Sequence, residues 1–315
     1  MFNVTAKGFL QNIKEFTTAE LYIKTVDRFD YEMSQIPDNV KVISVHSPIY
    51  TKGNKFLDLT KKDVQKSSIE DINKTLEYAR QYNIPKVVLH CATYKDNKVQ
   101  SILALAEIVN SFDLKDIELS FETDVLWFNT YSPDRALLTS VEDFALLDSA
   151  LDGNVKITLD VEHVYLTSTF NLFLEEFKVD NLTREEFETK YKEFVRDNSR
   201  LIVNTFKENF QNFIDFFGDK IVHMHINGSD YKNFLFDPET YLPLVGEHLP
   251  LGYNQNEVKD QLDYTFLIEQ INKLPKDKQI HIVLELGVRN KDYDFQDSLI
   301  NSKEFLESLI GVDNG

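Results

Sequence analysis

The feature that most constrains this chain is a repeated alternation. Short runs rich in Val and Ile are each followed by a polar loop and then by a segment whose apolar residues recur at helical spacing. Eight such runs are read as strands: Phe2 to Ala6, Glu20 to Thr25, Lys41 to His46, Lys86 to His90, Ile117 to Glu122, Val155 to Asp160, Ile221 to Ile226 and Ile280 to Glu285. The first two carry the least signal, because Phe2 to Ala6 is brief and Phe9 to Thr17 leaves room for only about two helical turns. Helix starts are marked between the runs. Ser67 with Glu70 reads as a capping box, and Ser132-Pro133 as an N-cap before a proline at the first helical position. Thr183 with Glu186 opens the stripe Phe187, Tyr191, Phe194, Val195, and Asp263 caps a helix through Phe266, Ile268 and Ile271.

Eight strand–helix units without a Pro/Gly-rich linker between halves predict one domain over residues 1–315, an α/β chain closed as a (β/α)8 TIM barrel. An open doubly wound sheet is the alternative. The stretch from Val161 to Lys220 is too long for an ordinary connection, and its Phe-rich helical pattern predicts an elaborated excursion after strand six that walls one side of the site.

Composition narrows the function. Hydrophobic residues make up 42% of the 315, with 24 Phe and 14 Tyr, enough for a sizeable core and incompatible with global disorder. The single cysteine, Cys91, excludes an intrachain disulfide framework and a Cys-rich zinc ribbon; it fits a reducing compartment and reads as a packed free thiol. Any metal must therefore be held by His and carboxylates. With 52 acidic residues against 34 basic ones the net charge is −18, which argues against a broad nucleic-acid or anionic-membrane surface. The N-terminal residues lack a basic flank with an apolar stretch, and no run of about 18 apolar residues occurs. The expectation is a cytoplasmic protein, neither secreted nor membrane-spanning.

Six of the eight runs carry, at their end or one residue before it, a residue able to bind a divalent metal: His46, His90, Glu122, Asp160, His225 (the last but one of its run) and Glu285. In a parallel barrel the C-terminal strand ends converge on one mouth, so residues far apart in sequence meet there. Three carboxylates gathered in one place repel one another, and a bound cation resolves that repulsion. Each residue also has a plainer reading: His46 and His90 as hydrogen-bonded core histidines, Glu122 as a carboxylate in a helix-capping loop, and Asp160 with His163 as a chance D-x-x-H. His223 and His225 share a face, with His225 nearer the mouth and His223 one layer deeper, holding a neighbour. His248 follows strand seven and is either a site residue or an ordinary exposed histidine. His281 sits at the far end of strand eight, outside the site. Trp127, five residues after Glu122, either lines a sugar pocket or packs in a loop. No G-x-G-x-x-G, P-loop or Ser-His-Asp pattern is visible.

The ordered set His46-Ser-Pro, Val-Val-Leu-His90, Leu-Ser-Phe-Glu122, Leu-Asp160-Val-Glu-His163, Met-His225-Ile-Asn, Glu-His248-Leu-Pro-Leu-Gly and Val-Leu-Glu285 resembles the xylose isomerase-like TIM-barrel superfamily. That superfamily includes endonuclease IV and the sugar or sugar-phosphate isomerases and epimerases. The resemblance implies a shared metal site of Glu122, Asp160, His225 and Glu285. It also implies two chemistries. In an isomerase or epimerase, one Zn, Mn or Mg ion polarises the oxygens of a sugar-like substrate, Glu122 and Glu285 exchange the carbon-bound proton, and His163 binds a sugar oxygen. In endonuclease IV, His46, His90 and Glu122 match a first zinc site, the shared four ligands a second, and His163 with His248 part of a third, giving up to three ions acting on abasic DNA. Three positions depart from the endonuclease pattern. The aspartate expected two places before His248 is Gly246, with Glu247 as the one neighbouring substitute; Asp-Thr-Cys-His reads Asp160-Val-Glu-His163; and the acidic residue expected after His225-Ile-Asn227 is Gly228. The isomerase or epimerase is therefore the leading expectation, the phosphodiesterase the alternative, and a non-catalytic metabolite-binding barrel a third.

Overall fold

Strand pairing extends only as far as neighbouring strands can match, and this rule sets the limits of the eight Val/Ile runs. The structure is a computed structural model that describes residues 2–8, 15–90, 92–125, 135–178, 182–230, 235–236, 243–246, 248–255, 258–287 and 294–310. The strands are β1 (Phe2–Lys7), β2 (Thr18–Tyr22), β3 (Lys41–His46), β4 (Lys86–Leu89), β5 (Glu118–Glu122), β6 (Ile157–Asp160), β7 (Ile221–Ile226) and β8 (Ile280–Leu284). They close in the order β1-β8-β7-β6-β5-β4-β3-β2, every pair parallel. The open-sheet alternative is thereby excluded. Strand β2 lies earlier than the run Glu20 to Thr25, because Thr18 pairs with Lys41 and Tyr22 with His46, the two ends of β3. Strands β4 and β8 stop one residue short of His90 and Glu285, and β1 runs one residue longer, to Lys7.

The helices are α1 (Phe29–Ser34), α2 (Gln65–Gln81), α3 (Lys98–Asn110), α4 (Val141–Ala150), α5 (Val161–Glu176), α6 (Arg184–Phe217), α7 (Tyr264–Ile271) and α8 (Phe295–Ile310). The Thr183–Glu186 capping box and the Asp263 cap form as read. Ser67 does not cap: α2 begins two residues earlier, and the Ser67 hydroxyl donates back to the Val64 carbonyl at 2.8 Å, inside the first turn. Ser132 and Pro133 lie outside the described residues; α4 takes its capping box from Ser140 and Asp143.

The excursion after strand six is a pair of helices, α5 with 16 residues and α6 with 34. Their aromatic faces interlock, Tyr165 against Phe206 edge-on at 4.6 Å between centroids and Phe173 against Phe187 at 5.3 Å. Aromatic residues make such contacts at low rotamer cost, and each buried ring contributes on the order of 2 kcal/mol of hydrophobic stabilisation.

The barrel interior departs from the usual filling of Val, Ile and Leu. Fully buried Thr5, Glu20, Ser44, Ser120, Thr158 and His223 line it. They bond across strands, Thr5 to Thr18 at 2.7 Å, Ser120 to Thr158 at 2.8 Å and Ser44 to Glu20 at 2.8 Å. Each buried hydroxyl thus has the partner that burial demands.

Candidate metal centre

Strand ends and the first turns beyond them carry the site. Glu122 closes β5 and Asp160 closes β6, where it is also the N-cap of α5: its Oδ1 accepts from the His163 backbone N at 2.7 Å. That capping bond explains the D-x-x-H spacing, since an N-cap and the third helical residue must face each other across the first turn. His163 then donates Nδ1–H to the Thr123 carbonyl at 2.8 Å, and Thr123 Oγ1 in turn accepts from the Asp160 N at 2.9 Å. A carbonyl only accepts, so the His163 proton is on Nδ1 and Nε2 is left for an ion or substrate.

His225 Nδ1 is the point on which the carboxylates converge, with Glu122 Oε1 at 2.8 Å, Glu285 Oε2 at 3.0 Å and Asp160 Oδ2 at 3.7 Å. One N–H serves one of the three. Asp160 Oδ2 and Glu285 Oε2 are buried and accept no well-formed hydrogen bond among the described residues. Glu122, Asp160, His225 and Glu285 offer ligand atoms all within 4.8 Å of one another. Three hard oxygens and an imidazole nitrogen in that compass fit Zn, Mn or Mg. Beside this cage, His46 Nε2 stands 3.1 Å from Glu122 Oε2 while its Nδ1 donates to the Ser47 carbonyl at 2.8 Å. His46, His90 and Glu122 form a second compact group through the shared Glu122, and His90, Asp124 and His163 a third. Imidazoles therefore run along one rim, His46 to His90 at 5.8 Å, His90 to His163 at 5.5 Å and His163 to His248 at 6.2 Å between centroids.

Electrostatics shows the strain of gathering these charges. Burial pushes the Asp160 carboxyl up to about 6, against the pull of His163. Burial would also raise Glu122 and Glu285, but His225 outweighs it at Glu122, as Lys7, His248 and His225 do at Glu285, and both stay well below the ordinary glutamate value. His225 is held well above the usual histidine value, its burial overcome by Glu122 and Glu20. His90 is treated likewise by Asp124 and rises to about 9, whereas burial takes His248 down to about 4.

All eight metal-ligand residues read from the sequence, His46, His90, Glu122, Asp160, His163, His225, His248 and Glu285, meet at this mouth. His248 sits in the loop after β7 with φ 54°, its backbone N donating to Glu162 at 2.9 Å and its carbonyl accepting from Gly287 N at 2.8 Å. That loop is pinned by Asp260, which accepts from the backbone N of Ser229 and of Gly252 at 3.0 and 2.8 Å. Gly228 is required there: a Cβ would lie 2.7 Å from the Pro250 carbonyl oxygen and 2.9 Å from Asp260 Cγ, so no acidic side chain fits. His223 lies beneath, bonded to Glu20, and His281 pairs with His223 in register on β8, away from the mouth. Trp127, Cys91 and Glu247 lie outside the described residues.

Four charged residues at the site escape a reading of strand ends. Lys7 Nζ is 2.6 Å from Glu285 Oε1, fully buried Glu20 bonds to His223 and stands 3.0 Å below His225 Nε2, Asp124 holds His90 Nε2 at 2.9 Å, and Glu162 anchors His248. Lys7 and Glu20 had a signal: both are polar positions between apolar neighbours on a strand, Ala6 before one and Ala19 and Leu21 around the other, and so face inward.

A parallel eightfold barrel whose mouth gathers carboxylates and imidazoles defines the class of protein. The family model described as the xylose isomerase-like TIM barrel matches residues 15–308, and the chain belongs to that family. No curated protein matches it in sequence. Among solved structures it is similar to a D-tagatose 3-epimerase-like protein, at 16% identity and TM-score 0.56 over 99% of this chain and 98% of that one. It is similar also to the IOLI protein with a bound zinc atom, at 11% identity and TM-score 0.53 over 98% of each chain. An AP endonuclease of family 2 from Brucella melitensis matches at 10% identity and TM-score 0.56, over 96% of this chain and 98% of that one. At such identities the likeness shows the fold alone. No described helix is long and apolar enough to cross a membrane.

Proposed function

We propose that this chain is a metal-dependent isomerase or epimerase acting on a sugar, sugar phosphate or similar polyhydroxylated small molecule. The observation that carries the reading is the convergence of Glu122 and Glu285, from β5 and β8, on His225 Nδ1 at 2.8 and 3.0 Å with Asp160 closing the cage. A divalent ion held there supplies Lewis-acid polarisation of neighbouring hydroxyl and carbonyl oxygens, which acidifies the carbon-bound proton. Of Glu122 and Glu285, one as carboxylate takes the carbon-bound proton; for isomerisation that same carboxyl returns it to the adjacent carbon, whereas epimerisation needs the other glutamate, protonated beforehand from solvent, to deliver a proton to the opposite face. His163, its proton fixed on Nδ1, offers Nε2 to a substrate hydroxyl. Incubation of metal-loaded protein with a panel of ketoses in deuterated water tests this. Deuterium incorporation at carbon with formation of the isomer or epimer, lost in Glu285→Gln, is expected; no exchange with any member would refute it.

A second reading, a zinc-dependent phosphodiesterase of the endonuclease IV kind, draws on the His46, His90 and Glu122 group that shares Glu122 with the cage. The glycines at 228 and 246 count against it, since neither supplies the acidic ligand. Metal counting separates the readings: one ion per chain supports the isomerase, two or three the phosphodiesterase, and none a binding barrel. Incision of duplex DNA carrying an abasic analogue, abolished in Glu122→Gln, would reverse the order.

A further inference from the structure

One layer below the cage, Lys7, Glu20, Ser44 and His223 bury four polar side chains at 5% exposure or less. Ordinary barrels place aliphatic side chains at this depth. Glu20 is the hub. Its Oε2 accepts from the Ser44 hydroxyl at 2.8 Å and lies 2.8 Å from His223 Nε2, while its Oε1 is 3.0 Å from His225 Nε2 and 3.7 Å from Lys7 Nζ. Lys7 reaches on to Glu285 Oε1 at 2.6 Å. Two cage members are thus approached on the side away from the cage: Glu20 Oε1 stands 3.0 Å from His225 Nε2, out of line for a well-formed hydrogen bond, leaving Nδ1 toward Glu122, and Lys7 holds Glu285 by Oε1, leaving Oε2 toward Nδ1.

We propose that Glu20 is a positioning residue that commits His225 to bind metal through Nδ1, with Lys7 tying the same layer to Glu285. The inference rests on the reading that the cage holds a divalent ion. A neutral imidazole ligates through one nitrogen and carries its proton on the other, and a carboxylate accepting that proton fixes both the tautomer and the ring plane and makes the ligand more basic. Glu20 Oε1 is within reach of that nitrogen at 3.0 Å, and accepting its proton requires the ring or the carboxylate to turn into line. Glu20, His223 and His225 are also close enough to be read as ligands of an ion of their own. The neighbours argue otherwise: Oε2 already accepts from the Ser44 hydroxyl, the Lys7 ammonium stands 3.7 Å from Oε1, and the pocket, at 0% exposure for Glu20, His223 and His225, would have to desolvate a second cation beside the first.

The test is metal affinity of the full chain, read by chelator competition with Zn²⁺ and Mn²⁺ below the unfolding transition. Glu20→Gln is expected to weaken binding by about 10- to 100-fold at unchanged stoichiometry. Glu20→Asp keeps the charge in the layer but withdraws the carboxylate by one methylene. It is expected to weaken binding as well, which loss of charge alone would not explain. In zinc-loaded wild type, histidine-selective ¹⁵N spectra should show His225 protonated on Nε2, with that proton far downfield; in either variant it should move upfield, a change that a purely structural role would not produce. Unchanged affinity in both variants, or an unmoved Nε2 proton, would overturn the proposal. So would the loss of one ion per chain with the remaining affinity intact, which would make Glu20 a ligand. If wild type binds no ion, the functional reading itself falls; if wild type binds and the variants bind equally well, only the role of Glu20 falls.

Discussion

The two ends of the barrel both bury charge, and they do so in opposite ways. At the N-terminal end, Lys86 opens β4 and reaches across to the Val222 carbonyl at 2.9 Å and to half-exposed Glu118 at 3.3 Å. The one ammonium there has a carbonyl acceptor and a carboxylate of opposite charge within reach. At the C-terminal mouth three carboxylates face one imidazole nitrogen, two of their oxygens lack a well-formed donor among the described residues, and Asp160 is driven up to about 6. Balanced charge at one end is a structural device; unbalanced charge at the other is what the proposed divalent ion would offset.

The sharpest way to break this contrast is to delete charge at the mouth. Glu285→Gln is expected to lower turnover by about 1,000-fold or more, on the order of 4 kcal/mol of transition-state stabilisation, while the metal-stripped variant unfolds close to wild type. Retained turnover with whichever ketose of the panel wild type converts would remove Glu285 from the chemistry. Next in size is the effect of the ion itself. At a free metal concentration of about 100 times Kd, occupancy should add about 2.7 kcal/mol to unfolding, seen as a fall in Tm on chelation. Hydrogen exchange should quicken at the Asp160 and His225 strand ends and stay unchanged around Lys86 and Val222; uniform change along the strands would mean the two ends are not energetically distinct.

Gly228→Ala sharpens the comparison at the loop that carries His248. The added Cβ meets the Pro250 carbonyl and the Asp260 carboxylate, both of them fixed, and a cost of about 1–3 kcal/mol is expected by thermal or denaturant unfolding. A neutral result would show that the loop can shift. Smallest is Lys86→Met, expected within about 1 kcal/mol of wild type at neutral pH, because one hydrogen bond is exchanged for relief of a buried charge. Its pH dependence is the informative part. Burial holds the Lys86 ammonium below its ordinary value of 10.5, against the pull of Glu118, so the folded chain gives up this proton before the unfolded chain does. Between those two values the unfolded state binds more protons, and wild-type stability gains from this group as pH rises toward 10.5. Lys86→Met should lack this gain; identical alkaline profiles for the two proteins would mean that folding does not lower the proton affinity of Lys86.

The strands were legible because a buried parallel strand is a Val/Ile run and little else, and the helices because their caps and apolar stripes are local. The candidate ligands were legible for a related reason: a charged residue closing an apolar run has no use unless several such ends meet. Ends were less certain, since pairing with a neighbour, not the run itself, sets where β2 starts and where β4 stops. Asp124 and Glu162 were hidden, because nothing in their spacing says that one will meet His90 and the other the backbone of His248. Glu20 opened one of the two weakest runs and Lys7 fell one residue past the other, where the alternation around them was too brief to be read as inward-facing.

What the sequence determined by itself is therefore the set of elements and the kind of atom placed at each strand end, both of which follow from short-range periodicity and residue chemistry. Only the closed ring decided which of those atoms touch. Barrel closure brings β1 against β8 and so puts Lys7 on Glu285, residues from opposite ends of the chain. The layer of buried partners beneath His225 depends on the same closure, since a side chain can be gripped from below only when strands remote in sequence share one interior.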